Sequence, residues 1–576
     1  MYLRKCSKSV AGSTYVYGQL VECCRTERGP RQRVVAYLGD LDEPQRLGVV
    51  DAARGSRGER QGSLAADAVS PEWVTVDLAR LRVERVRDFG AYWLGLQVMD
   101  QLGLRGFLAT IFEQGREEIP WSVMALVLVL MRLVDPASEL RIDEHLFERS
   151  ALSDLLGIPP EKVNDDRLYR ALDQLRPHKE ALEKHLKERM GALFHLDYDL
   201  LLYDITSTYF EGACADNTAA RLGYSRDQRS DCKQLCIGLV VSREGIPLGY
   251  EQFAGNRADV STVTEIVAKI ERQYGKAERI WVMDRGMVSA KVLTFLQADD
   301  RRYIVGTPRG QLRQFQAALT EDEGWETIMP GLQAKLIAAE TGSEWLILCR
   351  SMARGAKEHA MQERFATRVE DGLKKLADAC SGAKKLRSAT VERRVGALLT
   401  RNSRAKGLFA ITVGARADGG STVAWEKREK LAQWATLKEG CYVLRTNVQG
   451  SVADLWHSYI QLTEAQAAFR IQKDDLRIRP IWHQKEERVA AHILVCFLAY
   501  AVWKALGRIC QTAGLGAEPR KVIDELGTIK LVDVVLPTTT GVELRRRCIS
   551  RPTKAQAILL DRLKLCLPTL AVAPAV

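Results

Sequence analysis

Two short apolar runs, each closed by an aspartate, constrain this 576-residue chain more than anything else in it: Asp199-Leu-Leu-Leu-Tyr-Asp204 and Arg279-Ile-Trp-Val-Met-Asp284. Runs this short and this apolar read as buried strands rather than helices. Between them, Lys233 to Val241 and Ile246 to Phe253 alternate on either side of Arg243-Glu-Gly245, which is the pattern of a hairpin. A helix is expected from about Thr262 to Tyr274, then a short helix over 288–298 and a strand at Tyr303-Ile-Val-Gly306. Strand, hairpin, helix, strand, helix, strand predicts a mixed α/β sheet. In open sheets, sites form at the carboxyl ends of strands. Two ionised carboxylates placed there repel each other unless a divalent cation neutralises them, and their hard oxygens suit magnesium or manganese. An acid at a strand end is equally a turn former or helix cap, so neither aspartate is decisive alone.

The second informative stretch is Tyr459 to Lys473, YIQLTEAQAAFRIQK, which reads as one amphipathic helix. At the helical repeat, Tyr459, Leu462, Gln466, Arg470 and Lys473 fall in a stripe roughly 80° wide. A core stripe would be apolar, and a solvated one seldom holds Tyr and Leu. An aromatic, an amide and two cations on one face suit a polyanion, with Tyr459, Arg470 and Lys473 as phosphate contacts.

The remainder divides by pattern. Residues 1–45 alternate in short runs and predict a small β unit. Residues 46–82, rich in Gly, Arg, Asp and Ser, read as a linker. The period is helical over 83–195, where Asn164 is placed as the N-cap of an amphipathic helix. This region is either a DNA-binding module or a packing bundle. The sheet occupies 196–310 and resumes over 441–510. Residues 311–440 read as an inserted, basic, β-rich domain, with Lys384, Lys385, Arg387, Arg393, Arg394, Arg401, Arg404 and Lys406 close together. A helical tail with a basic triplet, Arg545–Arg547, is expected over 511–576. Trp281 and Trp482 are read as packing residues. His483 and His492, nine apart and so on opposite sides of one helix, are not expected to share a metal and are read as structural.

The net charge of +11 points to nucleic acid or an anionic membrane surface as partner. Thirteen cysteines without a CxxC pair, and only eight histidines, give no zinc spacing and no disulfide framework, so a reducing compartment is expected. The first residues lack an apolar signal segment. The apolar runs Trp121–Met131 and Val489–Leu506 read as buried helices, so no membrane partner is expected.

Three blocks together, Leu202-Tyr-Asp204-Ile-Thr-Ser-Thr, Val282-Met-Asp284-Arg-Gly-Met and Tyr459 through Lys473, resemble the signature blocks of bacterial insertion-sequence DDE transposases. Tyr224-Ser-Arg-Asp227, Pro247-Leu-Gly-Tyr250 with Gly255-Asn256, and Arg479-Pro-Ile-Trp-His483 extend the resemblance over nearly the whole chain. It implies an RNase H-like core interrupted by a β-rich insertion before the last acid. It implies that Asp204 and Asp284 are catalytic metal ligands, with two Mg2+ (or Mn2+) ions. It also implies double-stranded DNA as partner, terminal inverted repeats held by a homodimer in a synaptic complex, and a bacterial cytoplasmic setting at the nucleoid. The family's helix signature is Tyr, Arg, Glu, Lys; here its positions hold Tyr459, Leu462, Gln466 and Lys473. Gln466 thus stands where the catalytic Glu is expected. Glu464, two residues away, points about 160° from it. An amide oxygen is a far weaker ligand for magnesium than a carboxylate. Cleavage is therefore expected to be impaired and DNA binding retained. Gln466 fits an engineered inactivating change, a decayed copy or a natural variant kept for binding. A non-catalytic transposase-derived regulator, or a metal-dependent nuclease on the same fold, are the alternatives.

Overall fold

The computed structural model describes residues 2–10, 13–26, 29–39, 75–112, 115–339, 342–382, 386–416, 419–539 and 541–568. The chain forms two compact units. One comprises Met1–Ala277 with Thr463–Val576, the other Glu278–Leu462.

The first unit opens with β1 (Tyr2–Val10), β2 (Ser13–Thr26) and β3 (Gly29–Gly39), an antiparallel sheet in that order. The helical region begins differently from expectation: Arg82–Asp88 is a strand, β4. Then come α1 (Gly90–Gln101), α2 (Leu104–Ile111), α3 (Trp121–Val134), α4 (Asp165–Leu175) and α5 (Lys179–Phe194). Asn164 caps α4 as predicted, its side chain accepting from the Arg167 amide at 2.9 Å. Helix α3 is buried along nearly its whole length. The hairpin also forms as read: β5 (Leu200–Tyr209), β6 (Gln234–Ser242) and β7 (Pro247–Ala254) pair antiparallel in order, followed by α6 (Val263–Tyr274). Gly245 takes the left-handed φ of +76° that the turn requires.

The second unit holds β8 (Ile280–Met283), α7 (Ala290–Ala298) and β9 (Arg302–Gly306), a strand-helix-strand crossover with β8 and β9 parallel. Next are β10 (Glu326–Met329), β11 (Leu332–Ala338) and β12 (Trp345–Ser351), then α8 (Met352–Ser381), α9 (Ser388–Arg401), β13 (Phe409–Ala415), β14 (Ser421–Lys427), α10 (Glu429–Leu437), β15 (Cys441–Thr446) and α11 (Val452–Ile460). The sheet is mixed: β10, β11, β12, β15 and β9 pair antiparallel in turn, and β8 joins parallel. This corrects the expected β-rich insertion. Strands β10 to β12 extend the sheet rather than stand apart from it. What remains is a helix pair, the 30-residue α8 with α9, closed by the β13–β14 hairpin over a core that includes Val369, Leu373, Val391 and Phe409. The sequence there is amphipathic at helical spacing, and the alternation in β13 and β14 drew the reading toward strand.

Back in the first unit, α12 (Leu462–Arg470) leads into a wide helical turn over Ile471–Asp475. The single helix expected over Tyr459–Lys473 is therefore three pieces: Tyr459 lies on α11, Gln466 on α12 and Lys473 in the wide turn. After α13 (Glu486–Thr512) and α14 (Pro519–Gly527) the expected helical tail contains a hairpin, β16 (Lys530–Pro537) and β17 (Glu543–Ile549), before α15 (Lys554–Arg562). Strand β16 pairs on its other side with β4. The residues of β16 alternate strictly between buried and partly buried, the period-two signal of a strand. Helix α13 is long and apolar enough by composition to cross a membrane, but 89% of its most apolar window is buried within the unit. Its neighbours are α1, α3, α4 and α5. The helices of 83–195 thus pack around α13.

Candidate functional site

In the first unit, Asp204 sits in the middle of β5, not at its end as expected, because the strand continues through Ile205-Thr-Ser-Thr to Tyr209. It is nevertheless singled out. Along β5 only Asp204 and Tyr209 escape full burial. The carboxylate accepts from the Ile205 amide at 2.8 Å. The preceding Tyr203 points to the opposite face, where its hydroxyl shares a 2.7 Å hydrogen bond with Thr262.

Gln466 and Arg470 are both exposed on α12, while Leu462 (5% exposed) and Ala465 and Ala468 (0%) form its buried side. Glu464, the nearest acid to Gln466, is engaged elsewhere. Its Oε2 lies 3.3 Å from Lys504 Nζ on α13, and it packs so closely on Gly245 that a Cβ there would come within 2.7 Å of that oxygen. Lys473 does not face solution as a phosphate contact would. Its ammonium donates to Asp227 at 2.9 Å, with side chains 11% and 5% exposed, and Arg479 pairs with the same oxygen. Burial pushes the Lys473 pKa down, against the pull of Asp227. Lys473, expected as a phosphate contact, thus has its charge paired within the fold. The adjacent Arg226 holds Asp259 at 2.6 Å. Asp227 and Arg226 were visible beforehand only as part of a resembling block, since nothing in their spacing announces an ion pair 246 residues long.

In the second unit, Asp284 does end its strand. It begins the short turn Arg285–Met287 but makes no side-chain cap. Its carboxylate instead accepts from the Tyr459 hydroxyl at 3.4 Å. Burial foremost, with the Asp284 charge, pushes the Tyr459 phenol up and keeps it protonated. Both residues line a cavity of about 240 Å³ with Arg285, Gly306, Arg309 and Arg354. Gly306 is required there, since a Cβ would meet the Tyr459 hydroxyl at 2.8 Å and the Arg285 amide at 3.0 Å. Of its three arginines, Arg309 and Arg354 are already paired with Glu358, the latter at 3.0 Å. Arg393 and Arg394 are exposed on α9, whereas Lys384 and Lys385 lie outside the described residues. Arg545, Arg546 and Arg547 lie on β17; Arg547 pairs with Asp533 at 2.8 Å, so the triplet is not a free cationic patch.

Trp281 is buried (3%), as expected, but Trp482 is 65% exposed. It lies in the stretch between α12 and α13, not in a packed element. The same placement corrects the geometry of the histidines. His483 precedes α13, so it is not opposite His492 on one helix; the two rings stand 5.4 Å apart. Glu139 joins them, 3.5 Å from His483. Despite burial, the His483 hydrogen bond and nearby cations hold Glu139 down at about 2. Burial, reinforced by Arg132, pushes His492 down to about 3, so it is a neutral imidazole. The trio borders a cavity of about 720 Å³ that also carries Arg132, Arg477 and Arg520.

Residues 3–64 match the model of the IS1634 family transposase N-terminal domain. No curated protein matches the chain. Among solved structures, the piggyBac transposase synaptic complex with hairpin DNA, determined by cryo-EM, is similar to it at 8% identity; the likeness covers 79% of this chain and 82% of that one, with a TM-score of 0.34, too low to fix the fold. The likeness to IS1634 family transposases thus rests on residues 3–64, which are similar to their N-terminal domain.

Proposed function

We propose that this chain is an insertion-sequence transposase that binds the terminal inverted repeats of its element as double-stranded DNA, through a homodimer in a synaptic complex at the bacterial nucleoid, and that its strand cleavage and transfer chemistry, carried on an RNase H-like core, is impaired. The reading as a transposase is carried by the match of residues 3–64. Asp204 and Asp284 are the metal-ligating acids in this reading. Both fit the role as partly accessible carboxylates: Asp284 is not consumed as a helix cap, and Asp204 is one of two positions on β5 not sealed in the core. When bound, divalent cations supply an activated nucleophile and stabilise the leaving oxygen. The protein's own contributions are distinct. The Tyr459 hydroxyl orients the Asp284 carboxylate. Arg470, exposed one turn from Gln466, positions the DNA backbone.

Gln466 does not fit as a metal ligand, because a neutral amide replaces the expected carboxylate. The observation that supports impairment is the state of Glu464, which is held by Lys504 and backed against Gly245 and so does not replace the missing acid. The same observation favours a second reading, a transposase-derived DNA-binding regulator. Cleavage of labelled transposon ends by this chain and by Gln466→Glu decides between them. Restored cutting identifies an enzyme with an altered site. Cutting by neither variant, with DNA binding intact, identifies a binder. Equal cutting by both would show that position 466 is not the third acid.

A further inference from the structure

We propose that Glu139, His483 and His492 form a site for a zinc-class divalent cation, separate from the aspartates of the transposition chemistry. One ligand atom from each residue lies within 4.8 Å of the other two. They come from three separate segments: a short helical turn (Glu139–Arg141), the stretch before α13, and α13 itself. All three are secluded, with Glu139 3%, His492 5% and the His483 side chain 9% exposed. Two imidazoles and one carboxylate are a donor set that zinc takes in tetrahedral geometry with a fourth position open. Magnesium, which prefers oxygen and keeps its waters, is poorly served by it.

The hydrogen bonding of His492 fixes which nitrogen is offered. Its Nε2 stands 3.1 Å from the Ile478 carbonyl, so it carries the hydrogen and donates, which leaves the lone pair on Nδ1. A ligating histidine is ordinarily oriented by such a bond to a backbone carbonyl. The neighbour of Nδ1 is Arg132, whose Nη2 lies 3.4 Å away. That contact is long, and the same guanidinium also donates to the Ala137 and Arg477 carbonyls at 3.2 and 3.3 Å. These two acceptors retain Arg132 when a cation takes the Nδ1 lone pair. The arginine charge opposes the cation and lowers the affinity below that of an otherwise equal site. The cavity alongside, about 720 Å³, gives a path of entry and room for a fourth ligand. A cation here would tie the stretch that carries Arg479, and with it the partner of Asp227, to helix α13.

The test uses the full chain, freed of metal with a chelator and titrated with Co2+. The expected result is the visible absorption of one tetrahedral nitrogen–oxygen Co2+ site per chain, distinct from any weakly absorbing Co2+ at the aspartates, and a rise in Tm on adding Zn2+. Glu139→Gln and His483→Ala are each expected to weaken Co2+ binding by more than about tenfold and to abolish the Zn2+-dependent rise. Glu139→Gln keeps the shape and both imidazoles, so it serves even if the alanine variant fails to fold. The double variant Asp204→Ala, Asp284→Ala is expected to keep both signals. Absence of the tetrahedral spectrum in the unaltered chain, its persistence at equal affinity in Glu139→Gln, or its loss in the double aspartate variant would each overturn the proposal.

Discussion

Replacing Lys473 by Met separates a folding role from a DNA-binding one. The ammonium is 2.9 Å from Asp227, and the two side chains are 11% and 5% exposed. Breaking an isolated buried pair of this kind costs about 3–5 kcal/mol, most of it the penalty of an uncompensated charge. Here Arg479 remains on the same carboxylate oxygen, so Asp227 is not left unpaired. The loss then reduces to one charged hydrogen bond, about 1.5–3 kcal/mol. With a urea dependence of about 2 kcal/mol/M, the unfolding midpoint of Lys473→Met should fall by about 0.75–1.5 M. DNA binding should behave otherwise. A lysine already neutralised in the fold releases no counterion, so the slope of log K against log salt should not change, whereas loss of a phosphate contact would flatten it by about 0.9. Urea titrations and affinity measurements at four salt concentrations read both quantities on the same protein. An unchanged midpoint together with a slope reduced by about one would refute the ion-pair account and restore Lys473 to the DNA interface. A double-mutant cycle with Asp227→Asn adds an internal check: the coupling should exceed about 0.5 kcal/mol, as expected for residues in one network.

Three other perturbations give separable outcomes. Arg393→Ala with Arg394→Ala, both exposed on α9, should leave the unfolding midpoint in place and flatten the salt slope by about 1.8 if both meet phosphates; an unchanged slope removes α9 from the DNA surface. Tyr459→Phe deletes the hydroxyl 3.4 Å from Asp284. In a Gln466→Glu background it should lower cleavage while leaving DNA affinity the same, and a fall in affinity instead would make the tyrosine a phosphate contact. Glu344, buried and bonded to Arg445 and the Tyr303 hydroxyl, is held below its usual carboxylate range: burial opposes this, and those bonds overcome it. Its folded-state pKa being depressed, its stabilisation is present above the ordinary glutamate value of about 4.3 and is lost as pH falls through the folded value. Glu344→Gln should therefore be less stable than the unaltered chain at pH 7, and the difference should shrink in acid titrations followed by circular dichroism; a gap that is constant with pH would refute the assignment.

What the sequence disclosed and what it hid follow from the range of the interactions. The hairpin around Gly245, the cap at Asn164 and the crossover from β8 to β9 are set by neighbours a few residues apart, and each forms where the pattern placed it. Strand β4 was missed because its partner, β16, lies more than 400 residues on, and a lone run of Arg82-Val-Glu-Arg-Val-Arg-Asp has no apolar face to mark it as a strand. The stripe on the signature helix misled for a related reason. One ideal helix projects these residues onto one face, but the chain turns at Gln461 and widens after Arg470, so they meet different neighbours. Leu462 becomes core, Gln466 and Arg470 stay in solvent, and Lys473 meets Asp227.

Charge is where this matters for function. A cation in a sequence is counted as available to DNA, yet availability depends on whether the fold has already supplied an anion. Lys473, Arg479, Arg226 and Arg547 all have one within 3 Å, whereas Arg393, Arg394, Arg470 and Arg546 are exposed. Only the second kind is expected to exchange condensed counterions for phosphates and so to contribute to the salt slope. The net charge of +11 is consequently a poor guide to the number of phosphates the chain would hold in the proposed DNA complex. Exposed arginines on α9 and α12 are the better one, and Gln466 beside Arg470 leaves that part of the surface without the negative charge that a glutamate would bring to it.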